Sequence, residues 1–245
     1  MWYVAHVLAS ARQLVRRFGV DQVIATLAPF VTDARAQRID EILAARLDSL
    51  AIVLENLHDP HNGAAAIRSV EAFGLTGIDV VETTEPFRSA PAVTIGCEKW
   101  IDVRRRATMA ACADALRERG FTLYATVPGA ARRIEDVDVS APLAIVFGNE
   151  HEGLSADAVR LCDAEVSLPM YGFTQSFNLS VSVALAVQRL SGRRREHLGR
   201  DGDLHGQERA RLRAEWYVQS VNAAAQILER ECVNPDTPDV AAETQ

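Results

Sequence analysis

Between residues 51 and 188 the chain alternates short, almost wholly apolar runs with longer amphipathic stretches, and no other feature limits its fold as tightly. Ala51–Glu55 (AIVLE), Ile78–Val81, Trp100–Val103, Phe121–Ala125, Leu143–Phe147 and Glu165–Leu168 read as strands. His61–Phe73, Thr108–Arg119 and Leu179–Leu190 read as helices, with Gly74 and Gly120 closing the first two and Ser155 placed to cap a short fourth. A strand that is apolar at consecutive positions must be buried on both faces. That is the situation of a parallel sheet covered by its own crossover helices, so the class is α/β. The flanks differ: residues 3–17 and 33–47 carry apolar positions at helical spacing, with Ile39, Ile42, Leu43 and Leu47 in one stripe and Asp33 as a candidate cap. The expected organisation is a helical extension over 1–50, an α/β domain over 51–190, a helical extension over 191–234 and a disordered tail over 235–245.

Composition removes several classes of protein. With 48% hydrophobic and 24% charged residues, the chain is neither disordered nor fibrous. No run approaches the roughly 18 apolar residues of a membrane span. The first 19 residues carry Arg12, Arg16 and Arg17 and lack a signal-peptide pattern. Cys97, Cys112, Cys162 and Cys232 have no metal-binding spacing and read as reduced thiols of a cytoplasmic protein. The net charge of −7, taken as a sum, argues against a nucleic-acid partner, but its distribution does not. The segment 189–213 holds eight arginines against four acids. Arginine suits bidentate phosphate contact, which makes Arg193, Arg194 and Arg195 candidate RNA contacts, while the run Arg104-Arg105-Arg106 reads as plain surface.

Ligands of parallel α/β sheets bind beyond the carboxyl ends of the strands. Three such ends are rich in polar residues and glycine: Asn56 to Gly63, Gly148 to Gly153, and Pro169 to Asn178. None carries GxGxxG or GxxxxGK[ST], so a dinucleotide fold or a P-loop has no support. His58 and His61 lie close in sequence without a third ligand, and no metal site is expected.

The three segments, in this order and spacing, resemble the motifs of the SpoU/TrmH family of RNA ribose 2′-O-methyltransferases, within the SPOUT superfamily. The first is LENLHDPHNGAAAIRSVEAFG (54–74), the second IVFGNEHEGLS (145–155) and the third LPMYGFTQSFNLSVSVALA (168–186). EKW (98–100) and RGFTLYAT (119–126) are similar to the branch of the family that modifies tRNA guanosine. The resemblance implies an α/β domain with a C-terminal trefoil knot, a homodimer and S-adenosylmethionine as cofactor. By position, Thr126, Gly148, Leu168, Met170, Gly172 and Phe177 would line the cofactor pocket, and Arg68, Asn62, Glu150, Ser176 and Asn178 would be catalytic. It implies tRNA as substrate, methylated at the D-loop guanosine of position 18, with helical extensions that help bind it. An rRNA or anticodon-loop enzyme of the same family is the first alternative, and a silent RNA-binding protein on the same fold the second. An arginine is a poor general base, since its pKa exceeds about 12. Arg68 therefore reads as a phosphate grip that stabilises developing alkoxide charge.

Overall fold

The computed structural model describes residues 11–83, 94 and 96–233. The expectations for residues 3–10 and for the tail over 235–245 fall outside the described residues. Contacts divide the chain into two compact units: Ala44–Asp203, and the described parts of Trp2–Leu43 and Leu204–Gln245. The two helical extensions thus belong to one unit, with boundaries at 43/44 and 203/204 instead of 50/51 and 190/191.

The larger unit is built on six parallel strands: β1 (Leu50–Glu55), β2 (Gly77–Val81), β3 (Asp102–Arg106), β4 (Thr122–Thr126), β5 (Leu143–Phe147) and β6 (Ala164–Val166), in the order β3-β2-β1-β5-β4-β6. Ile52 of β1 sits in register with Ile78 of β2 and Ile145 of β5. β1, β2 and β5 are buried at every position, as the apolar runs of β1 and β5 require, and β2 buries Asp79 among its apolar residues. On one face α4 (Pro60–Ala72) and α7 (Leu179–Leu198) pack together over Leu54, Ile78 and Ile145. On the other, α5 (Met109–Arg117) and α6 (Ala156–Leu161) cover Val53, Leu123 and Val146. Burial pushes the thiols of Cys112 and Cys162 in this second layer up to about 12, and all four cysteines are free.

Several local expectations need correction. Residues Cys97–Trp100 form a 3₁₀ turn, and the strand follows as Asp102–Arg106. Arg105 is surface, as expected, but Arg104 and Arg106 are not. Arg104 and Arg106 donate from Nε to the two oxygens of Asp79, at 3.0 and 2.8 Å, and Asp79 is fully buried. Arg105 reaches Glu82 at 2.8 Å. The run neutralises a buried carboxylate and places charge along an edge strand, where an apolar strand would invite further pairing.

Helix α7 continues eight residues past Leu190 and ends at Gly199 in the left-handed conformation (φ 62°). Within its apolar run Val183, Ala186, Val187 and Leu190 are core, whereas Val181 and Leu185, one turn apart, are exposed. The added turns carry Arg194 inward, where it is 6% exposed; its Nε donates to Ser49 Oγ at 2.8 Å and its Nη1 to the Val139 carbonyl at 2.6 Å. Arg195 donates to the carbonyls of Phe73, Ala45 and Asp201 at 2.7 to 3.1 Å. Both guanidiniums are committed to backbone or side-chain oxygens of the chain, so of the three candidate RNA contacts only Arg193 keeps that reading.

The smaller unit comprises α1 (described over residues 11–18), α2 (Val20–Leu27), α3 (Asp33–Ala44), α8 (Gly206–Ser220) and α9 (Ala224–Val233), with α2 packed on α8 and α9. Val23, Leu27, Leu212, Trp216 and Leu228 are buried in it, and Arg213–Asp40 and Arg17–Glu229 ion pairs join its N- and C-terminal segments. Thr32, not Asp33, caps α3: its Oγ1 accepts from the Arg35 N–H at 3.3 Å, and Asp33 is the first helical residue. Among the described residues, no helix is long and apolar enough to cross a membrane.

Candidate active site

The site forms where β1, β4, β5 and β6 end. β1 finishes in Glu55, 3% exposed, whose carboxylate accepts from the Ser155 N–H at 2.9 Å and from Ser155 Oγ at 2.7 Å. Ser155 Oγ in turn accepts from the Ala158 N–H and caps α6, as the sequence predicts. This ties the start of α6 to the sheet and fixes the exit of the loop after β5. The loop itself is closed tightly. Asn149 and Gly153 exchange backbone hydrogen bonds at 3.2 Å, and Asn149 Oδ1 accepts the N–H groups of His151 and Glu152. Gly153 takes φ 71°. A Cβ on Gly148 would stand 2.0 Å from the Gly153 carbonyl carbon, so this position has no room for any side chain.

The other two walls are helix starts. Asp59 accepts from the His61 N–H at 2.8 Å and Pro60 occupies the first helical position, which begins α4 and sets Asn62 in its first turn. Asn178 caps α7, its Oδ1 accepting from Ser180 N–H (2.9 Å), Ser180 Oγ (2.7 Å) and Val181 N–H (3.4 Å). The three segments meet in a chain of side-chain hydrogen bonds. Asn178 Nδ2 donates to Asn62 Oδ1 at 2.9 Å, and Asn62 Nδ2 donates to Glu150 Oε1 at 2.7 Å. The second oxygen of Glu150 is buried and has no hydrogen-bond partner among the described residues. An unmatched buried acceptor costs free energy that a ligand donor would recover.

Beside this chain lies a cleft of about 270 Å³. Of the residues expected to hold a cofactor, Thr126, Gly148, Leu168, Met170 and Phe177 line it; Gly172 does not. Of those expected to be catalytic, Glu150, Ser176 and Asn178 line it, and Asn62 joins through its hydrogen bonds. Sequence reasoning missed the apolar wall of Val127, Pro128, Phe147 and Val166. It also missed Glu55, for which the available signal was a carboxylate ending an otherwise apolar strand. Thr126 Oγ1 donates to the Val146 carbonyl at 2.8 Å, which fixes the end of β4 against β5.

Arg68 is exposed on α4, does not line the cleft, and makes no side-chain hydrogen bond or ion pair among the described residues. Six residues place it about 240° around the helix from Asn62. Its charge acts on Cys97, whose thiol burial pushes up to about 11. Among the described residues no cluster of three histidine, cysteine or carboxylate side chains could hold a metal ion.

A model of the SpoU rRNA methylase family matches residues 49–188. The tRNA (guanosine(18)-2′-O)-methyltransferase of Borreliella burgdorferi is 35% identical over 209 residues, 85% of this chain and 93% of that protein. Among solved structures, the TrmH/SpoU tRNA modifying enzyme of A. aeolicus superposes with a TM-score of 0.69 at 26% identity, covering 78% of this chain and 98% of that one. The AdoMet-bound rRNA methyltransferase of Sinorhizobium meliloti gives 0.51 at 29% identity, covering 61% and 56%.

Proposed function

Because the chain belongs to the SpoU/TrmH family, we propose that it is an S-adenosylmethionine-dependent tRNA ribose 2′-O-methyltransferase acting on the D-loop guanosine at position 18. The observation that carries this reading is the convergence of Glu150, Asn62 and Asn178, from three separate strand ends, on one cleft. The cleft's composition fits the cofactor. Leu168, Met170 and Phe177 offer apolar surface, Thr126, Ser176 and Asn178 offer polar contacts, and Gly148 lets the backbone approach closely. In this reading those residues hold the cofactor together with Gly172, within a C-terminal trefoil knot. When bound, S-adenosylmethionine supplies an electrophilic methyl group on a sulfonium.

The chain's own residues then position the ribose and manage its proton. Glu150 Oε2 is the unmatched acceptor of the site and takes the hydrogen bond of the 2′-hydroxyl, while Ser176 and Asn178 orient the ribose. Arg68, exposed and with no partner among the described residues, grips a phosphate of the RNA outside the cleft. Arg68→Lys tests that role. Retention of substantial methyl transfer, within about tenfold of the parent, is the expected outcome for a phosphate grip; complete loss with tRNA binding intact would require a specific guanidinium.

We further infer a homodimer, supported by exposed apolar side chains next to the site: Tyr171, Phe173, Val181 and Leu185. Light scattering of the purified protein reads this directly, and a monomer mass at micromolar concentration sinks it. The function itself is tested with tritiated S-adenosylmethionine, bulk tRNA and rRNA, followed by mapping of the methylated nucleotide. Label on the D-loop guanosine is expected. Label in rRNA alone moves the assignment to another branch of the family; cofactor binding without label in any RNA makes the chain a silent binding protein.

A further inference from the structure

The loops after β1 and β5 carry a second polar feature that the chemistry above does not use. His58, in the loop after β1, and His151, in the loop after β5, bring their imidazoles to 5.5 Å between centroids, edge to face. Both residues are exposed, and neither ring makes a hydrogen bond or ion pair among the described residues. Both sit on fixed backbone. His58 directly precedes the Asp59 cap and Pro60 of α4, and the His151 N–H is held by Asn149 Oδ1 at 2.9 Å. His151 directly follows Glu150 and His58 lies four residues before Asn62, and the side chains of Glu150 and Asn62 are joined at 2.7 Å. An exposed imidazole pair does nothing for the core. Its rings are exposed, on the same two loops that carry Glu150 and lead to Asn62, beside a site that in the reading above must receive a ribose between two phosphates.

We propose that His58 and His151 form a phosphate subsite for the RNA backbone next to the target ribose, and that RNA binding is coupled to proton uptake by the pair. The inference rests on the assignment of RNA as substrate. Two adjacent imidazolium charges repel each other, and a phosphate held by both rings offsets that repulsion. The charged groups nearest the pair along the chain are carboxylates. Asp59 stands at the head of α4 and is occupied by the His61 N–H, and Glu150 and Glu152 share the loop of His151. His61, the remaining titratable group of the segment, is exposed on the first turn of α4. In a protein of net charge −7, a contact that gains its positive charge only when RNA arrives also limits non-specific attraction to other polyanions.

The test is the affinity of an unmodified tRNA transcript, measured by fluorescence anisotropy at fixed salt from about pH 8 to about pH 6. For the parent protein, proton-linked binding tightens Kd toward a limit of tenfold per pH unit per proton, and we expect about tenfold across the range. The double variant His58→Gln, His151→Gln should bind weakly with a flat pH profile and a salt slope smaller by about one phosphate contact, with unchanged affinity for S-adenosylmethionine. His151→Lys, which restores a permanent charge, should bind tightly even at the alkaline end. The proposal is overturned if the double glutamine variant keeps the parent's affinity and pH dependence. It is also overturned if His58→Phe, His151→Phe binds as well as the parent, since the pair then acts as a stacking surface. Parent protein that binds no tRNA at any pH overturns the RNA assignment together with the subsite, whereas methyl transfer by a parent indistinguishable from the double variant overturns the subsite alone.

Discussion

Gly148→Ala is expected to abolish measurable S-adenosylmethionine binding and to lower methyl transfer at least ~100-fold, the scale on which a misplacement of about 1 Å costs rate. The added Cβ would meet the carbonyl carbon and oxygen of Gly153 at 2.0 and 2.1 Å and the amide nitrogen of Leu154 at 2.1 Å. All three are backbone atoms, so no rotamer change relieves the clash and the loop has to open. Opening it breaks the Asn149–Gly153 hydrogen bonds and moves Glu150, whose place in the site depends on that closure. It also pulls on Ser155, which Glu55 holds from the buried end of β1. Overpacking of this kind costs about 1–3 kcal/mol of stability as well, seen as a lower melting temperature. Gly192→Ala is the matched control. That glycine lies exposed within α7, nothing stands within 4 Å of its added Cβ, and alanine there should leave binding intact while stabilising the helix by up to ~1 kcal/mol. Calorimetric titration with the cofactor and a thermal melt of each variant decide the matter. Full affinity in Gly148→Ala would mean that the cleft's backbone does not hold the cofactor.

The contrast between those glycines shows where sequence reading succeeds and where it stops. Strands β1 and β5 were legible because burial on two faces leaves a continuous apolar run, a local signal, and β2 because Ile78, Val80 and Val81 keep most of one around Asp79. The Ser155 cap and the closing glycines Gly74 and Gly120, both at positive φ, were legible for the same reason. The convergence of Asn62, Glu150 and Asn178 was legible only through the resemblance of three motifs, since residues 88 and 116 apart have no local means of announcing contact. What failed depends on partners distant in the chain. Arg104 and Arg106 look like surface until Asp79, more than twenty residues earlier, takes both. Arg193-Arg194-Arg195 reads as one cationic cluster, but helical geometry turns neighbours about 100° apart, and α7 carries Arg194 onto Ser49 and Val139. The shared unit of the two extensions was hidden too, because neither segment's stripe of apolar residues names the stripe it packs against.

Glu150→Gln is expected to reduce the single-turnover rate of methyl transfer by about 10²- to 10⁴-fold, with cofactor affinity and melting temperature near those of the parent. The argument begins at the cap of α7. Asn178 Oδ1 is committed to the N–H groups of Ser180 and Val181 and to the Ser180 hydroxyl, so its amide orientation is set by the helix. Its Nδ2 must therefore point outward, and it donates to Asn62 Oδ1. Asn62 is left with only its Nδ2 to offer Glu150, whose Oε1 has to accept. Glutamine satisfies that demand with its own carbonyl oxygen, which is why the fold and the chain of hydrogen bonds survive. Its Nε2 then stands where the unmatched Oε2 stood, and an N–H donor replaces the acceptor that the ribose hydroxyl needs. Methyl transfer releases one proton from that hydroxyl, and the amide cannot take it. The rate at saturating tRNA should fall while the tRNA Kd changes little. Glu150→Asp, which keeps the carboxylate but shortens its reach, should recover part of the rate. If Glu150→Gln instead turns over at the parent's rate but binds tRNA weakly, the carboxylate recognises the RNA and the proton leaves by another route. The same reading follows from Asn178→Ala. Loss of the cap costs about 1 kcal/mol of stability, but the larger effect is on rate, because Asn62 becomes free to turn its amide and present oxygen to oxygen at Glu150.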